Sequence, residues 1–253
     1  MPQNKHQSEK VYIYGKNALF EALTNAPQVV KRVHISPEIQ DGKLRELLRE
    51  QKIPTQVLER GDAKRAVGDE SHQGVIAVID AAALMIPFGE FLSSLTPTKD
   101  TAIALLGEVQ DPHNVGAIIR SAAAFGFSAV LIPERNQAQV TGTVVKTSAG
   151  MAFRIPLISI GNVNDTLRTL KEKGFWIYGL AMDGNPLQKE VFDAPAAFVL
   201  GNEGAGIRKV TLETCDIALS IAMHPRCESL NVAVSAGVVF NAWSSQHPHA
   251  LRA

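Results

Sequence analysis

The sequence predicts an α/β protein in which a small α/β domain precedes a larger domain built on a parallel sheet. Short apolar runs rich in Val, Ile, Leu and Ala alternate with segments whose apolar positions recur at helical period. Between the two regions of alternation, the stretch 81–99 carries Pro87, Gly89 and Pro97, which is typical of a connector. Alternating strands and helices favour a parallel sheet with helices packed on both faces.

The first domain is expected to span residues 11–80, after a flexible polar tail at 1–10. Leu44, Leu47 and Leu48 lie at positions i, i+3 and i+4, which predicts the buried face of an amphipathic helix. The run GVIAVI at 74–79 predicts a buried strand, because Val and Ile favour strands. The other elements predicted in this domain are helices at 15–23 and 62–67 and strands at 30–35 and 55–58.

The second domain is expected to span residues 100–253, beyond a linker at 81–99 that contains a short helix at 88–95. Its first apolar run, TAIALL at 101–106, predicts a buried strand. A helix at 163–173 is expected to end before Gly174, since glycine is a natural C-cap. The other elements predicted in this domain are strands at 129–132, 157–160, 175–181, 197–200 and 217–221 and helices at 115–125, 140–146 and 232–243.

The bulk composition is that of a globular protein with a substantial core. Of 253 residues, 45% are apolar and 20% are charged, and the formal net charge is zero with a pI near 7.1. Because there is no global basic field, any RNA binding has to use local patches such as Lys31-Arg32 and Lys64-Arg65. The alternative interpretation of those pairs is a solvated surface.

Targeting and redox features are those expected of a cytoplasmic protein. Residues 1–10 lack the apolar stretch of a signal peptide, and no apolar run reaches the roughly 20 residues that span a bilayer. Cys215 and Cys227 are the two cysteines, and their spacing fits neither a metal site nor a disulfide framework. We therefore expect a cytoplasmic protein with no membrane partner and no metal.

Three short motifs carry candidate chemistry, and the first lies between a predicted strand and a predicted helix. Its sequence is DPHNVGAIIR, in which Pro112 and Asn114 suit a turn and the start of a helix. Arg120 follows Asn114 by six residues. A capped helix with a surface arginine would show the same pattern, so this motif alone leaves both interpretations open.

The second motif is GNEGAG at 201–206, directly after a predicted strand. Its glycine spacing, G-x-x-G-x-G, is not that of the dinucleotide-binding fingerprint. Three glycines allow the backbone to approach a flat ligand closely, and Glu203 could hold neighbouring N–H groups. On glycine content alone, a tight turn without a ligand explains this motif better than a binding loop does.

The third motif is Ser229-Leu230-Asn231, which precedes the last predicted helix. Ser229 is a good helix N-cap, and Asn231 offers a donor and an acceptor at the helix start. Plain capping explains the pair when it is considered alone.

Taken in this order, the three motifs resemble those of the TrmH-type RNA 2′-O-ribose methyltransferases of the SPOUT superfamily. Their patterns here are N-x-G-x-x-x-R, G-x-E-G-x-G and S-L-N-V-x-V. The region 11–80, with Tyr14-Gly15 at its start and His72-Gln73-Gly74 before its last strand, is similar to the L30e-like substrate-binding domain of that family. The resemblance implies a catalytic α/β domain threaded into a trefoil knot, S-adenosylmethionine as methyl donor without a metal, and a homodimer that binds RNA but not DNA.

The resemblance also implies roles for particular residues. Arg120 matches the catalytic arginine, which either acts as a base or grips a phosphate or the 2′-oxygen; because a guanidinium rarely gives up its proton, we favour the second role. The residues that match catalytic or supporting positions are Arg120, Asn114, Glu203, Ser229 and Asn231, and those that match cofactor-contact positions are Leu200, Gly201, Ile221 and Leu230.

The domain order is most similar to members that methylate a guanosine of 23S rRNA. The resemblance therefore implies methyl transfer to a ribose 2′-hydroxyl of structured RNA, with a tRNA target as one alternative. A non-catalytic RNA-binding or ribosome-assembly protein that keeps the knot is the other. Ala222 and Pro225 stand where the family has proline and glycine, so the loop at 222–228 is expected to differ in shape.

Overall fold

The computed structural model describes residues 10–59, 61 and 72–252, and the chain divides into two compact units. The first unit joins the residues before 86 with the distant segment 140–154. The second unit comprises 86–139 and the residues from 155 onward. The helix predicted at 62–67 lies outside the described residues.

The regular elements follow one another as an alternation of strands and helices. The first half contains β1 (Lys10–Tyr14), α1 (Lys16–Asn25), β2 (Val30–Ile35), α2 (Gly42–Glu50), β3 (Thr55–Val57), β4 (Val75–Asp80), β5 (Met85–Pro87), α3 (Phe88–Ser94), β6 (Ala102–Leu106) and α4 (Pro112–Ala124). The second half contains β7 (Ala129–Pro133), α5 (Gly142–Thr147), β8 (Leu157–Ile160), α6 (Val163–Glu172), β9 (Trp176–Pro186), β10 (Ala196–Leu200), α7 (Lys209–Thr214), β11 (Ile217–Ser220) and α8 (Val232–Gln246).

The first unit contains a four-stranded sheet in the order β1-β4-β2-β3. β4 pairs antiparallel with both β1 and β2, whereas β3 pairs parallel with β2. β4 is buried over most of its length, as the GVIAVI pattern predicted, whereas β2 exposes Lys31 and Arg32.

Helix α2 begins and ends with two different capping devices. The Asp41 carboxylate accepts a hydrogen bond from the Leu44 N–H at 3.1 Å, which satisfies a free donor of the first turn. Leu44 and Leu48 are buried, as their spacing predicted. At the other end, Ile53 N–H donates to the Leu48 carbonyl, and Lys52 lies between them at φ 55°, in the left-handed region. Lysine therefore occupies a position that favours glycine.

The segment 140–154 completes the first unit. Its helix α5 packs on β1, with the Lys146 ammonium 4.8 Å from the centre of the Tyr14 ring. Arg154 binds Glu21 of α1 through two nitrogens, at 2.6 Å and 3.0 Å. Gly150 has φ 81°, and a Cβ there would lie 2.7 Å from the Glu21 Cγ. This segment is thus fastened to β1 and α1 by several contacts.

The second unit is built on a seven-stranded sheet in the order β11-β9-β10-β6-β7-β8-β5. The five pairings from β11 to β8 are all parallel. The predicted α/β fold with a parallel sheet is therefore confirmed. The trefoil knot implied by the family resemblance stays a prediction.

Three details of this unit differ from the sequence expectations. β5 falls within the stretch predicted as a linker, and α7, with only six residues, has no predicted counterpart. β9 runs to Pro186 rather than to residue 181, because it continues past an irregularity in its pairing with β11. The predicted C-cap of α6 is confirmed: Gly174 has φ 87°, and the Phe175 N–H donates to the Leu170 carbonyl.

An aromatic cluster packs the C-terminal half of α8 against the sheet. Phe198 of β10, Phe240 and Trp243 are fully buried, and the Phe127 ring centre lies 4.1 Å from that of Phe240. Burying rings of this size supplies much of the local stability. The cluster therefore holds the C-terminal half of α8 against β10, the strand that the second motif follows. None of the described helices is both long and apolar enough to cross a bilayer.

Candidate active site

The first two motifs follow neighbouring parallel strands, so both lie at the same edge of the sheet. β6 and β10 pair along their length, and Leu106 is opposite Leu200. Just beyond, the Gly107 N–H donates to the Leu200 carbonyl at 2.6 Å. A Cβ at position 107 would lie 2.9 Å from that oxygen, so a residue without a side chain suits this close approach.

The loop after β10 is a closed turn held by its own backbone. The N–H and C=O groups of Asn202 bond those of Gly206 at 2.9 Å and 3.0 Å, and Gly206 has φ 69°. The Asn202 Oδ1 accepts from the N–H groups of Gly204 and Ala205, both at 3.0 Å. A Cβ on Gly201 would overlap the backbone of the returning chain at Gly206. The strand end therefore requires glycine at 201.

Glu203 projects from this turn and binds the first motif. Its carboxylate accepts from the backbone N–H groups of Gln110 and Asp111, at 3.2 Å and 3.0 Å, and from the Asn114 Nδ2 at 3.0 Å. Partial burial raises the pKa of Glu203, but the bonds from Asn114 and the two backbone donors outweigh burial and hold the pKa below its ordinary value. Glu203 is thus an ionised acceptor whose oxygens are already engaged.

The ionised carboxylate sets the orientation of the two asparagines beyond it. Because Glu203 can only accept, Asn114 must point its amide nitrogen toward Glu203, which leaves its Oδ1 for Asn231. The Asn231 Nδ2 donates to that oxygen at 2.9 Å. The Asn231 Oδ1 then accepts from the N–H groups of Ala233 and Val234 at the start of α8. One hydrogen-bonded chain therefore links all three motifs in a single orientation.

The N-cap of α8 is Asn231, not Ser229 as the sequence suggested. The asparagine side chain reaches the first free N–H groups of the helix because the helix begins at Val232, one residue later. Ser229 is exposed and lies two residues before the cap, where it contributes to the wall of a cavity.

A cavity of about 380 Å³ opens between the second and third motifs. Its volume lies in the range of small-molecule sites. All four residues predicted to contact a cofactor line it: Leu200, Gly201, Ile221 and Leu230.

Sequence reasoning missed the wall of this cavity that β9 supplies. Leu180, Ala181 and Met182 line it, although residue 181 was predicted only as the end of a strand. The available signal was the rule that ligands bind at the carboxyl ends of strands that neighbour one another, but the sequence does not reveal that β9 neighbours β10.

The loop that departs from the family pattern forms a turn beside the cavity. The Cys227 N–H donates to the His224 carbonyl at 2.9 Å, and the Arg226 N–H donates to the His224 Nδ1 at 3.1 Å. Pro225 therefore occupies the second position of a four-residue turn, which its fixed φ suits. Met223, just before the turn, lines the cavity.

Arg120 lies on α4, six residues beyond Asn114, and its side chain is exposed. Six residues correspond to about 9 Å along a helix. Within the described part of the chain, Arg120 forms no hydrogen bond or ion pair, so its guanidinium is available to a ligand. The chain of hydrogen bonds brings together Asn114, Glu203 and Asn231 but does not include Arg120.

Among the described residues, no cluster of three or more His, Cys, Asp or Glu side chains could hold a metal ion.

Comparison with known families matches both parts of the chain. The model of the SpoU rRNA Methylase family matches residues 101–241. A second model, described as RNA 2′-O ribose methyltransferase substrate binding, matches residues 12–85.

Two curated relatives match nearly the whole chain. One from Xanthomonas campestris is 38% identical over 90% of this chain and 93% of its own length, and one from Nitrosomonas europaea is 34% identical over 93% and 92%. Both are named 23S rRNA (guanosine-2′-O-)-methyltransferase RlmB.

Two solved structures are similar to this chain over most of its length. A TrmH-family RNA methyltransferase from Porphyromonas gingivalis is 27% identical, with a TM-score of 0.71 over 93% of this chain and 89% of that one. The SpoU methyltransferase AviRb from Streptomyces viridochromogenes, in complex with AdoMet, is 23% identical, with a TM-score of 0.81 over 98% and 94%. The second likeness is one of fold.

Proposed function

Because this chain belongs to the SpoU rRNA methylase family, we propose that it transfers the methyl group of S-adenosylmethionine to the ribose 2′-oxygen of a guanosine in 23S rRNA. The observation that carries the proposal is the hydrogen-bonded chain from Glu203 through Asn114 to Asn231, which joins three distant motifs beside one cavity. A purely structural role for each motif would not require them to meet.

The cavity between the second and third motifs fits the methyl donor. Its apolar wall at Leu200, Ile221 and Leu230 suits an adenine ring, and the backbone at Gly201 can approach that ring because no side chain intervenes. When bound, S-adenosylmethionine supplies a methyl group on a sulfonium sulfur that an oxygen nucleophile can attack. No metal is needed for that chemistry.

The substrate hydroxyl must lose its proton during transfer, and the site offers no obvious strong base. Glu203 is unsuited, because a carboxylate with a lowered pKa and engaged oxygens is a weak proton acceptor. We assign it the role of orienting Asn114. Asn114 in turn holds Asn231 at the cavity edge, so the three side chains position rather than react.

Arg120 is the residue we assign to the reacting oxygen or its neighbouring phosphate. Its exposed guanidinium carries a permanent charge and a fork of donors, which suits a phosphate or a developing oxyanion. A direct role as base is disfavoured because a guanidinium does not give up its proton readily in proteins.

RNA is the partner assigned to the first unit, whose family model is described as substrate binding. A homodimer is proposed from α8, a 15-residue helix without a charged residue that leaves Val234 and Val238 exposed, at 52% and 38%. Such an apolar helix face is covered most simply by a second copy.

The enzyme would act in the cytoplasm, where its rRNA substrate lies.

Mass-spectrometric mapping of ribose methylation tests the proposed reaction. RNA from cells with and without this protein is digested, and purified protein is incubated with unmodified 23S rRNA and with tRNA. One 2′-O-methylguanosine in 23S rRNA should depend on the protein. Methylation confined to tRNA would overturn the assigned substrate. Failure to bind S-adenosylmethionine at millimolar concentration in calorimetry would instead favour a non-catalytic RNA-binding protein.

A further inference from the structure

The first unit carries an open groove of about 440 Å³ that the proposed reaction does not use. It runs between α2 and β3, and β3 ends the sheet in the described strand order. Three cationic side chains line it, together with the polar side chains of Ser36, Thr55 and Gln56. None of its described lining residues is acidic. The groove is therefore a local concentration of positive charge on a chain whose net charge is zero.

The three cations are spaced along one face of α2 and its C-terminal extension. Arg45, Arg49 and Lys52 follow one another at four and three residues, the spacing of neighbours on one helix face. At the helical rise they cover about 10 Å. Arg45 is anchored by a bond from its NH2 to the Ile39 carbonyl at 3.0 Å.

The other two cations of the groove are free of counter-charges in the described part of the chain. Arg49 and Lys52 form no ion pair there, whereas Lys16 and Lys31 of the same unit pair with Asp41 and Asp80. Charges that are exposed and not neutralised are available to an anionic partner.

Lys52 occupies its position against the preference of the backbone. With φ 55° it has the left-handed conformation that Gly174 adopts at the end of α6, where φ is 87°. Glycine adopts this conformation without the clash between Cβ and the carbonyl oxygen, so lysine here introduces strain. Lys52 nevertheless lines the groove in this conformation.

We propose that this groove binds the sugar–phosphate backbone of the RNA substrate, with Arg49 and Lys52 contacting phosphates. The inference rests on the proposed function, which supplies a polyanion as partner. Guanidinium and ammonium groups are the usual phosphate contacts, and hydroxyl and amide side chains such as those of Thr55 and Gln56 can bind phosphate or ribose oxygens. Contacts of this kind position RNA without reading its sequence.

Salt-dependent binding of the full-length protein to transcribed 23S rRNA tests the groove. Arg49→Ala and Lys52→Gly are compared with Lys43→Ala, which removes an exposed cation from the same helix outside the groove. Each phosphate contact adds about 0.7–0.9 to the slope of log affinity against log salt. Each groove variant should lose about that much slope and bind about five- to eightfold more weakly at 0.1 M salt. The control should match the wild type.

The Lys52→Gly variant is expected to change RNA affinity and thermal stability in opposite directions. Because glycine relieves the strained conformation, the variant should melt about 2–4 °C higher than the wild type while binding RNA more weakly. An unchanged affinity and salt slope in both groove variants would overturn the proposal, including the case in which the groove binds an acidic protein instead.

Failure of the proposed reaction would be distinguishable from failure of the groove. Binding is measured without methyl transfer, so groove-dependent RNA binding by a protein that does not methylate would contradict only the reaction. Normal methylation with an unchanged KM for RNA in both variants would contradict only the groove.

Discussion

The cofactor cavity of the second unit and the basic groove of the first unit would bind their ligands through different kinds of interaction. The cavity is lined mainly by apolar side chains and by backbone, and Glu203, the acidic residue among its described lining residues, is engaged by amide and N–H donors. The groove presents Arg49 and Lys52 to solvent without a described counter-charge. Enclosed contacts between neutral groups are little affected by salt, whereas contacts between exposed charges are screened. RNA affinity should therefore fall more steeply with salt than cofactor affinity does.

Replacing Arg120, the exposed cation assigned to chemistry, should have the largest effect. Arg120→Ala should lower kcat by about 10²–10³ because it removes a donor that stabilises developing charge. Affinity for S-adenosylmethionine should stay unchanged in calorimetry. Arg120→Lys, which keeps the charge but not the fork, should recover only part of the rate. Near-normal turnover in Arg120→Ala would remove this residue from the mechanism and leave the second unit without an assigned catalytic charge.

Gly201→Ala should weaken cofactor binding next most strongly. Its Cβ would overlap the backbone at Gly206, so the loop must shift and the cavity wall with it. We expect at least about tenfold weaker binding of S-adenosylmethionine, with a loss of about 1–3 kcal/mol in the free energy of unfolding, as for overpacked sites. Gly204→Ala is the matched control, since a Cβ there would meet only the Asn202 Oδ1, at 3.7 Å. Equal behaviour of the two variants would show that backbone approach does not shape the cavity.

Asn114→Asp tests whether the hydrogen-bonded chain has one fixed orientation. The new carboxylate would face Glu203 at about the distance of the present 3.0 Å bond, and two acceptors cannot bond each other. The variant should lose about 1–3 kcal/mol in the free energy of unfolding at pH 7, the cost of an unsatisfied buried group. Urea denaturation at pH 5 should show a smaller loss, because one shared proton restores a bond. A loss independent of pH would argue against this orientation.

The pH dependence carried by Glu203 should be the smallest effect. Its pKa is lowered in the folded protein, so its contribution to stability is present above the unfolded pKa and is lost as pH falls through the folded pKa. The wild type should therefore be more stable than Glu203→Gln at pH 7, and the gap should close on acidification below about pH 4. Chemical denaturation of both proteins at pH 7 and pH 3.5 measures the difference in their free energies of unfolding. A difference that grows at the lower pH would contradict the assignment of Glu203 as an ionised acceptor.

Most of the fold could be predicted because burial on two faces imposes recognisable patterns. Apolar runs located β6, β8 and β10 to within a residue, and the leucine spacing in α2 identified its buried face. Short or irregular elements could not be found this way. α7 has too few residues to display a helical period, and β9 passes through Asp183, Gly184 and Asn185, which are typical of a turn.

The candidate site was predictable as three motifs but not as one network. Sequence separations of 89 and 117 residues join Asn114 to Glu203 and Asn231, and only the strand order brings such residues together. The error at Ser229 has the same origin. Serine and asparagine are both good caps, so the first residue of the helix decides between them, and helix boundaries are poorly encoded in sequence.

The segment 140–154 has a consequence for how the chain is made. Helix α5 and Arg154 complete the first unit by packing on β1 and pairing with Glu21, yet the last of these residues, Arg154, is synthesised 69 residues after residue 85. At about 5–20 residues per second, a nascent chain would wait roughly 3–14 s with that surface uncovered. The first unit therefore reaches its complete set of contacts only after part of the second unit's sequence has been synthesised. Its surface at β1 and α1 is left uncovered during that interval.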